Sequence, residues 1–297
     1  MENTQLYWIH ALTPLHVGVG FGLGFIDLPV IREKITNWPI VPGSAVKGVL
    51  ADHFDAATAD KRKSDTLLRA AFGIAGEDHS NSGSLVFTDA RLACLPVRSL
   101  YGTFAWVTSP LALQRLARDL EAAAAGGLPA IPEVPEAETH LARGSALKGP
   151  DGKVYLSDLD FTAREASPAD DWAARIAAWV FPGEPAWASE FTKRFTLLPD
   201  ASFNFLCETG TEVTARVRID PERKSVARGQ LWYEKYLPAE TILAGLVWCD
   251  RVFAANGLTP AQLLERFCSG TQRLQIGGKA TIGKGRVRCV FPGGNHA

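Results

Sequence analysis

A run of closely spaced glycines and cations, Gln275-Ile276-Gly277-Gly278-Lys279-Ala280-Thr281-Ile282-Gly283-Lys284-Gly285-Arg286, leads straight into the alternating, β-branched stretch Val287-Arg288-Cys289-Val290-Phe291. Glycine lacks a Cβ, tolerates positive φ and lets a backbone N–H reach a phosphate oxygen directly. Gly278 to Lys284 satisfies the spacing G-x-x-x-x-G-K, but Gly285 follows where a P-loop needs Ser or Thr for magnesium. A P-loop also opens a helix, whereas a strand follows here. The pattern argues against a nucleotide hydrolase and fits a turn that contacts a phosphate backbone. A glycine-rich hairpin turn with solvated lysines is the plain alternative. Beyond Glu265 no acidic residue occurs, while Arg266, Arg273, Lys279, Lys284, Arg286 and Arg288 all do, so this tail is a local basic surface.

The whole chain is nearly neutral, with a formal charge of −1, which argues against indiscriminate nucleic-acid binding. It permits an RNA-binding face offset by acidic surface elsewhere. With 297 residues, 46% of them hydrophobic, the chain can bury a substantial core. No apolar run approaches the roughly 20 residues of a membrane helix, and Met1-Glu2-Asn3-Thr4 opens no signal-peptide pattern. Cys94, Cys207, Cys249, Cys268 and Cys289 are dispersed without a C-x-x-C pair. Free, buried thiols in a reducing cytoplasm are expected.

Leu6 to Leu12 reads as a first strand, followed by a loop with glycines at 18, 20, 22 and 24 and an apolar stretch Phe25 to Ile31. Ser44 is placed to cap a helix with Val46, Val49, Leu50 and Phe54 inward. Strands are expected at Leu85–Thr88, Ala93–Val97 and Thr103–Val107. Helices are expected from Ser109-Pro110, Ser167-Pro168 and Thr259-Pro260. The acidic, proline-containing region from about 120 to 160 reads as a solvated linker or insertion. Ser202 to Ile219 alternates as a long strand, with Arg223-Lys224-Ser225 as the tip before the return at Gly229. The sum is an α+β protein with strands at both ends, helices between and one long hairpin late in the chain.

Leu15-His16-Val17-Gly18-Val19-Gly20-Phe21-Gly22-Leu23-Gly24 fails the dinucleotide register G-x-G-x-x-G. Its useful feature is Asp27, a carboxylate at the end of a glycine loop between apolar flanks. Such a residue is often a turn or cap. It can equally hold a divalent cation or orient a ribose hydroxyl for attack on the adjacent phosphate. One carboxylate is too few for a two-metal site, which favours cleavage by the RNA's own 2′-OH. His16 is a candidate partner. Lys47 stands three residues after Ser44, where the helix dipole disfavours a cation unless an anion binds there. Glu234 and Tyr236 share one face of a strand at period two.

Thr13-Pro14-Leu15-His16-Val17-Gly18, Gly24 to Val30, Val41 to Gly48, Phe87 to Arg91, Val97 to Gly102, Leu231 to Pro238 and the glycine-rich tail occur in one order. That order resembles the RAMP proteins, in particular the repeated backbone subunit of type III-B CRISPR effector (Cmr) complexes. The resemblance implies one RAMP domain over 1–297. Its ferredoxin-like, RRM-like palm would be built from both ends of the chain, with helical insertions and a β-hairpin thumb at about 200–230. It implies a cytoplasmic subunit without membrane contact that binds CRISPR guide RNA, stacks with other copies of itself and meets other Cmr subunits. Single-stranded target RNA would be cut at regular intervals. Asp27 aligns with the cleavage-site aspartate and would hold Mg²⁺ or Mn²⁺ together with target RNA, with His16, Glu234 and Tyr236 near it. Ser44, Lys47, Gly277, Gly278, Lys279, Thr281, Gly283, Lys284 and Gly285 match the guide-backbone surface, and Arg216 and Arg218 would lie on the thumb. A non-catalytic scaffold subunit and a metal-independent guide-processing ribonuclease are the alternatives.

Overall fold

The first strand, β1 (Thr4–Ala11), is buried on both faces, so its side chains feed two separate cores. Tyr7 and Ile9 point into one apolar cluster, and Leu6 and Trp8 into another on the opposite side. The computed structural model describes residues 3–20, 26–55, 59–74, 80–220, 222–253 and 257–292. After β1 come β2 (Ile40–Val41), α1 (Gly43–His53), α2 (Ala59–Ser64) and α3 (Thr66–Phe72). The small ribbon β3 (Gly73–Ile74) and β4 (Asn81–Ser82) precedes β5 (Val86–Phe87), β6 (Ala90–Arg98), β7 (Phe104–Thr108) and α4 (Pro110–Ala122). Then follow β8 (Glu138–Leu141), β9 (Lys153–Leu156), β10 (Leu159–Glu165), α5 (Ser167–Val180), α6 (Pro185–Arg194), β11 (Phe195–Leu197) and α7 (Asp200–Thr209). The hairpin β12 (Glu212–Ile219) and β13 (Val226–Tyr236) leads to β14 (Ile242–Trp248), α8 (Pro260–Phe267), β15 (Gly270–Gln275) and β16 (Arg286–Phe291).

The main sheet runs β15-β16-β1-β14-β6-β7-β11-β8-β10-β9. Its centre, β16-β1-β14-β6, is antiparallel throughout. β1 therefore runs parallel to β6 with β14 between them, and α1 lies on the connection from β1 to β6. β14 likewise runs parallel to β16, with α8 on that connection. These two interleaved crossovers make the ferredoxin-like palm, assembled from both ends of the chain. Val46 and Leu50 of α1 and Leu263 and Phe267 of α8 cover one face with Tyr7 and Ile9. Leu113 and Leu116 of α4 and Trp172 and Ile176 of α5 cover the other with Leu6 and Trp8. Burying each such side chain contributes about 1.5–3 kcal/mol.

Local signals hold where caps are strong. Ser109 accepts from the Ala112 N–H ahead of α4, and Thr259 and Gln262 form a capping box on α8. The five cysteines are free and buried. Ser44 does not cap α1, because Pro42 holds that position without a side-chain cap. The Asp89 carboxylate instead accepts from the Gly43 N–H at 2.9 Å, so the helix start already holds an anion.

The long strand expected over Ser202–Ile219 begins as α7: Phe203, Leu206 and Cys207 turn inward at helical spacing, and only from Glu212 does β12 start. The hairpin thus spans 212–236 rather than about 200–230. The region expected as a solvated insertion is built into the fold. Leu128, Ile131 and Val134 pack on the α4–α5 core, Trp172 Nε1 donates to the Ala130 carbonyl, and β8, β9 and β10 extend the sheet. Ile26 to Ile31 forms isolated bridges instead of a strand, pairing Leu28 with Glu234 and Val30 with Gly18. The expectations for Gly22, Gly24 and Phe25 lie outside the described residues. No described helix is long and apolar enough to cross a membrane.

Candidate cleavage site and nucleic-acid interface

The end of β13 gathers the chemistry. Trp232, Glu234 and Tyr236 project from one face at the strand period, and Arg216 on β12 is the cross-strand partner of Trp232. Glu234 is 1% exposed and Tyr236 fully buried. The Glu234 carboxylate accepts from Trp232 Nε1 at 2.7 Å, Lys279 Nζ at 2.6 Å, Arg216 Nε at 3.3 Å and the Tyr236 hydroxyl. Burial alone raises a carboxyl pKa, but the hydrogen bonds from Lys279, Tyr236 and Trp232 outweigh it and hold Glu234 at about 2. Burial, and then the bond to Glu234, push the Tyr236 hydroxyl up.

The glycine-rich loop closes over this cluster. Gly277, at φ +78°, is forced to be glycine because a Cβ there would strike the carbonyl oxygen of His16. Gly285, at φ +77°, would likewise strike Ile276. The Gly278 N–H donates to His16 and the Gly285 N–H to Pro14, which ties the loop to the segment after β1. A single 3₁₀ turn, Ala280–Ile282, carries exposed Thr281. Lys284 Nζ lies 4.7 Å from the centre of the Tyr236 ring, a cation–π contact.

His16 is buried and meets the Tyr236 ring edge-on at 5.5 Å. Its Nδ1–H donates to the Lys235 carbonyl at 2.7 Å, which leaves Nε2 as the acceptor in the neutral ring. Asp27 is exposed, and its Oδ2 accepts from the Tyr233 N–H at 2.8 Å while its own N–H donates to the Tyr233 carbonyl. The carboxylate is therefore pinned to β13 one residue before Glu234. Its other oxygen could serve as one ligand of a hard cation, since magnesium is bound through one or two carboxylates with water and substrate oxygens completing its shell. Among the described residues no group of three or more His, Cys, Asp or Glu forms a metal cage.

His16, Glu234, Tyr236, Arg216, Lys279, Lys284 and the loop glycines thus converge, and Asp27 is tied to the backbone of the neighbouring Tyr233. Arg218 is exposed on β12 at the irregularity between Val217 and Ile219, toward the hairpin tip. Ser44 and Lys47 are not joined to the cluster by a contact among the described residues. Lys47 is the fifth residue of α1, past its first turn, and its ammonium donates to the Leu85 carbonyl at 2.8 Å. Burial, with Arg62 nearby, lowers its pKa. Trp232 is the member that sequence reasoning missed, although the same period-two spacing that joined Glu234 and Tyr236 extends to it.

A family model described as the RAMP superfamily matches residues 8–288. A curated relative, the CRISPR system Cmr endoribonuclease Cmr4 of Pyrococcus furiosus, is 33% identical over 99% of both chains. A crystal structure of oligomeric Cmr4 from Pyrococcus furiosus superposes with a TM-score of 0.74 at 25% identity, covering 98% of each chain. A cryo-EM structure of the type III-B Cmr-beta complex bound to cognate target RNA shares the fold, with a TM-score of 0.72 at 20% identity over 97% of this chain and 96% of that one. The chain therefore belongs to the RAMP superfamily, with Cmr4 proteins among its full-length relatives.

Proposed function

We propose that this protein is a guide-RNA-binding backbone subunit of a type III-B CRISPR complex that cleaves bound target RNA, with Asp27 at the scissile phosphate. The observation that carries this is the Asp27 carboxylate, exposed yet fixed to the backbone of Tyr233 on β13, the strand whose next residue, Glu234, holds Arg216 and Lys279. The full-length likeness to a protein named a Cmr endoribonuclease supports the same reading.

The reaction suited to one carboxylate is transesterification. The ribose 2′-oxygen bonds to the adjacent phosphorus and gives up its proton, while the bond to the 5′-oxygen breaks and that oxygen gains a proton. The products are a 2′,3′-cyclic phosphate and a 5′-hydroxyl. Asp27 would be the protein's ligand to a divalent cation, which would supply charge neutralisation at the phosphate. Base pairing selects the target, as in other RNA-guided effectors, while the cations position its backbone. Copies stacked along one guide bring one Asp27 each, so cuts fall at the subunit spacing; likeness to an oligomeric Cmr4 supports that stacking. Burial of Tyr236 and the commitment of its hydroxyl to Glu234 weigh against a metal-free His16–Tyr236 acid–base pair.

The test is Asp27→Ala in the assembled complex. Guide and target affinities stay at wild-type values, while cutting of the bound target is lost and ladder fragments at regular spacing disappear. Magnesium or manganese restores wild-type cutting after chelation. Undiminished cutting by the variant refutes the assignment.

A further inference from the structure

Glu234 lies beside the candidate cleavage site, but its surroundings suit support rather than proton transfer. A carboxylate offers about four lone-pair directions. On Glu234 four donors use them: Trp232 and Lys279 on Oε1, Arg216 and the Tyr236 hydroxyl on Oε2. At 1% exposure it has no free direction for a ribose proton or a metal ion. Its two charged partners differ from it, for the side chains of Lys279 and Arg216 are each 31% exposed. The negative charge is sealed in, and the two positive charges emerge above it.

Two chain segments far apart in sequence deliver those cations: Arg216 comes from β12, and Lys279 from the glycine-rich loop with its backbone at φ +69°. A single buried carboxylate fixes their spacing. The same strand carries Tyr233, whose N–H holds Asp27. Lys284 adds a third cation over Tyr236. Glu234, and Glu212 as the cross-strand partner of Tyr236 within the field of Lys284, offset two of these three cations, which leaves one in excess for a phosphodiester. Arginine and lysine are complementary here, since the guanidinium gives a planar N–H fork and the ammonium a mobile point charge.

We propose that Glu234 is a positioning residue and that Lys279 and Arg216, seated on it, clamp the scissile phosphate of the target RNA next to Asp27. Lys279 thereby moves from the guide-backbone surface to the cleavage site. The inference rests on the cleavage reading above and deepens it. As negative charge grows on the non-bridging phosphate oxygens, the clamp stabilises it without moving, because its charges are already held in place.

The experiment uses the full complex loaded with guide and target RNA. It measures single-turnover cutting of bound target together with guide and target affinities. Lys279→Ala slows cutting about 100-fold with both affinities within about twofold of wild type. Lys279→Arg recovers at least about tenfold of that loss, since it keeps the charge. Glu234→Gln, whose amide oxygen still accepts from Lys279, retains measurable cutting. Unchanged cutting with weakened guide binding in Lys279→Ala returns that residue to the guide surface and overturns the clamp. Arg no better than Ala at 279, or cutting abolished in a folded Glu234→Gln, also overturns it. Asp27→Ala runs alongside: wild-type cutting there sinks the cleavage reading itself, whereas a dead Asp27→Ala beside a fully active Lys279→Ala sinks the clamp alone.

Discussion

Lys47 and Lys279 carry the same charge but are held in opposite ways. Lys47, on α1, donates to a backbone carbonyl and makes no ion pair among the described residues. Lys279, in the glycine-rich loop, sits on the ionised Glu234, which it shares with Arg216. A carbonyl orients an ammonium without neutralising it, whereas a carboxylate both orients and neutralises. The first arrangement suits sequence-independent attraction to a guide backbone. The second suits a local array that acts only when a phosphate enters it. Resemblance had grouped both lysines on one surface, and the difference between their partners separates them.

The comparison breaks most visibly at Gly277. A side chain there needs a left-handed conformation and collides with His16, so Gly277→Ala is expected to cost roughly 4 kcal/mol. Gly283 shares the positive φ, +77°, but a Cβ there meets nothing within 4 Å, so Gly283→Ala should cost only about 1 kcal/mol. Denaturant midpoints of the two variants test this. Equal losses would mean the loop does not press on His16. If the loop alone places Lys279, Gly277→Ala also reduces target cutting while leaving the Lys47-dependent part of guide binding intact.

Next in size is the acid sensitivity of Glu234. Its folded-state pKa lies near 2 against an ordinary 4.5. It therefore contributes stability that is fully present above about pH 4.5 and is lost as pH falls toward 2. The linked amount is on the order of 3 kcal/mol. Glu234→Gln removes the titrating group, so the stability gap between wild type and variant should be constant above pH 5 and shrink steadily below it. A gap independent of pH down to 2.5 would show that Glu234 is not held ionised by its partners.

The sequence made the palm legible because its signals are local. Ser109 and Thr259 announce helix starts, and the glycine run passing straight into a β-branched stretch announces a strand. The α7 segment is hidden in the sequence because Phe203, Leu206 and Cys207, which set its inward face, run straight into an alternating stretch that becomes a strand only at Glu212. At the site, Glu234 and Tyr236 were readable from period two, and Trp232 followed the same rule. The pairing of Lys279 with Glu234 and of Asp27 with Tyr233 was not readable. Those partners lie 45 and 206 residues apart, and only the tertiary fold brings them together. The Asp89 contact at the α1 start was hidden for the same reason, 46 residues from Gly43.

The smallest effect is also the one that separates the two lysines most cleanly. A phosphate contact made by an uncompensated charge contributes one released counterion, so its loss flattens the salt dependence of binding by about one unit of slope. Lys47→Ala should do this for every guide sequence tested, with the affinity loss largest at low salt. Target cutting, measured on complexes already loaded, should stay near wild type. Lys279→Ala should leave the slope close to unchanged, because Glu234 already accompanies that charge before RNA arrives. Titrations of guide binding at several salt concentrations read both slopes directly. A full unit lost in Lys279→Ala and none in Lys47→Ala would invert the comparison, placing the guide on the glycine-rich loop and leaving Lys47 as a strut between α1 and the Leu85 carbonyl.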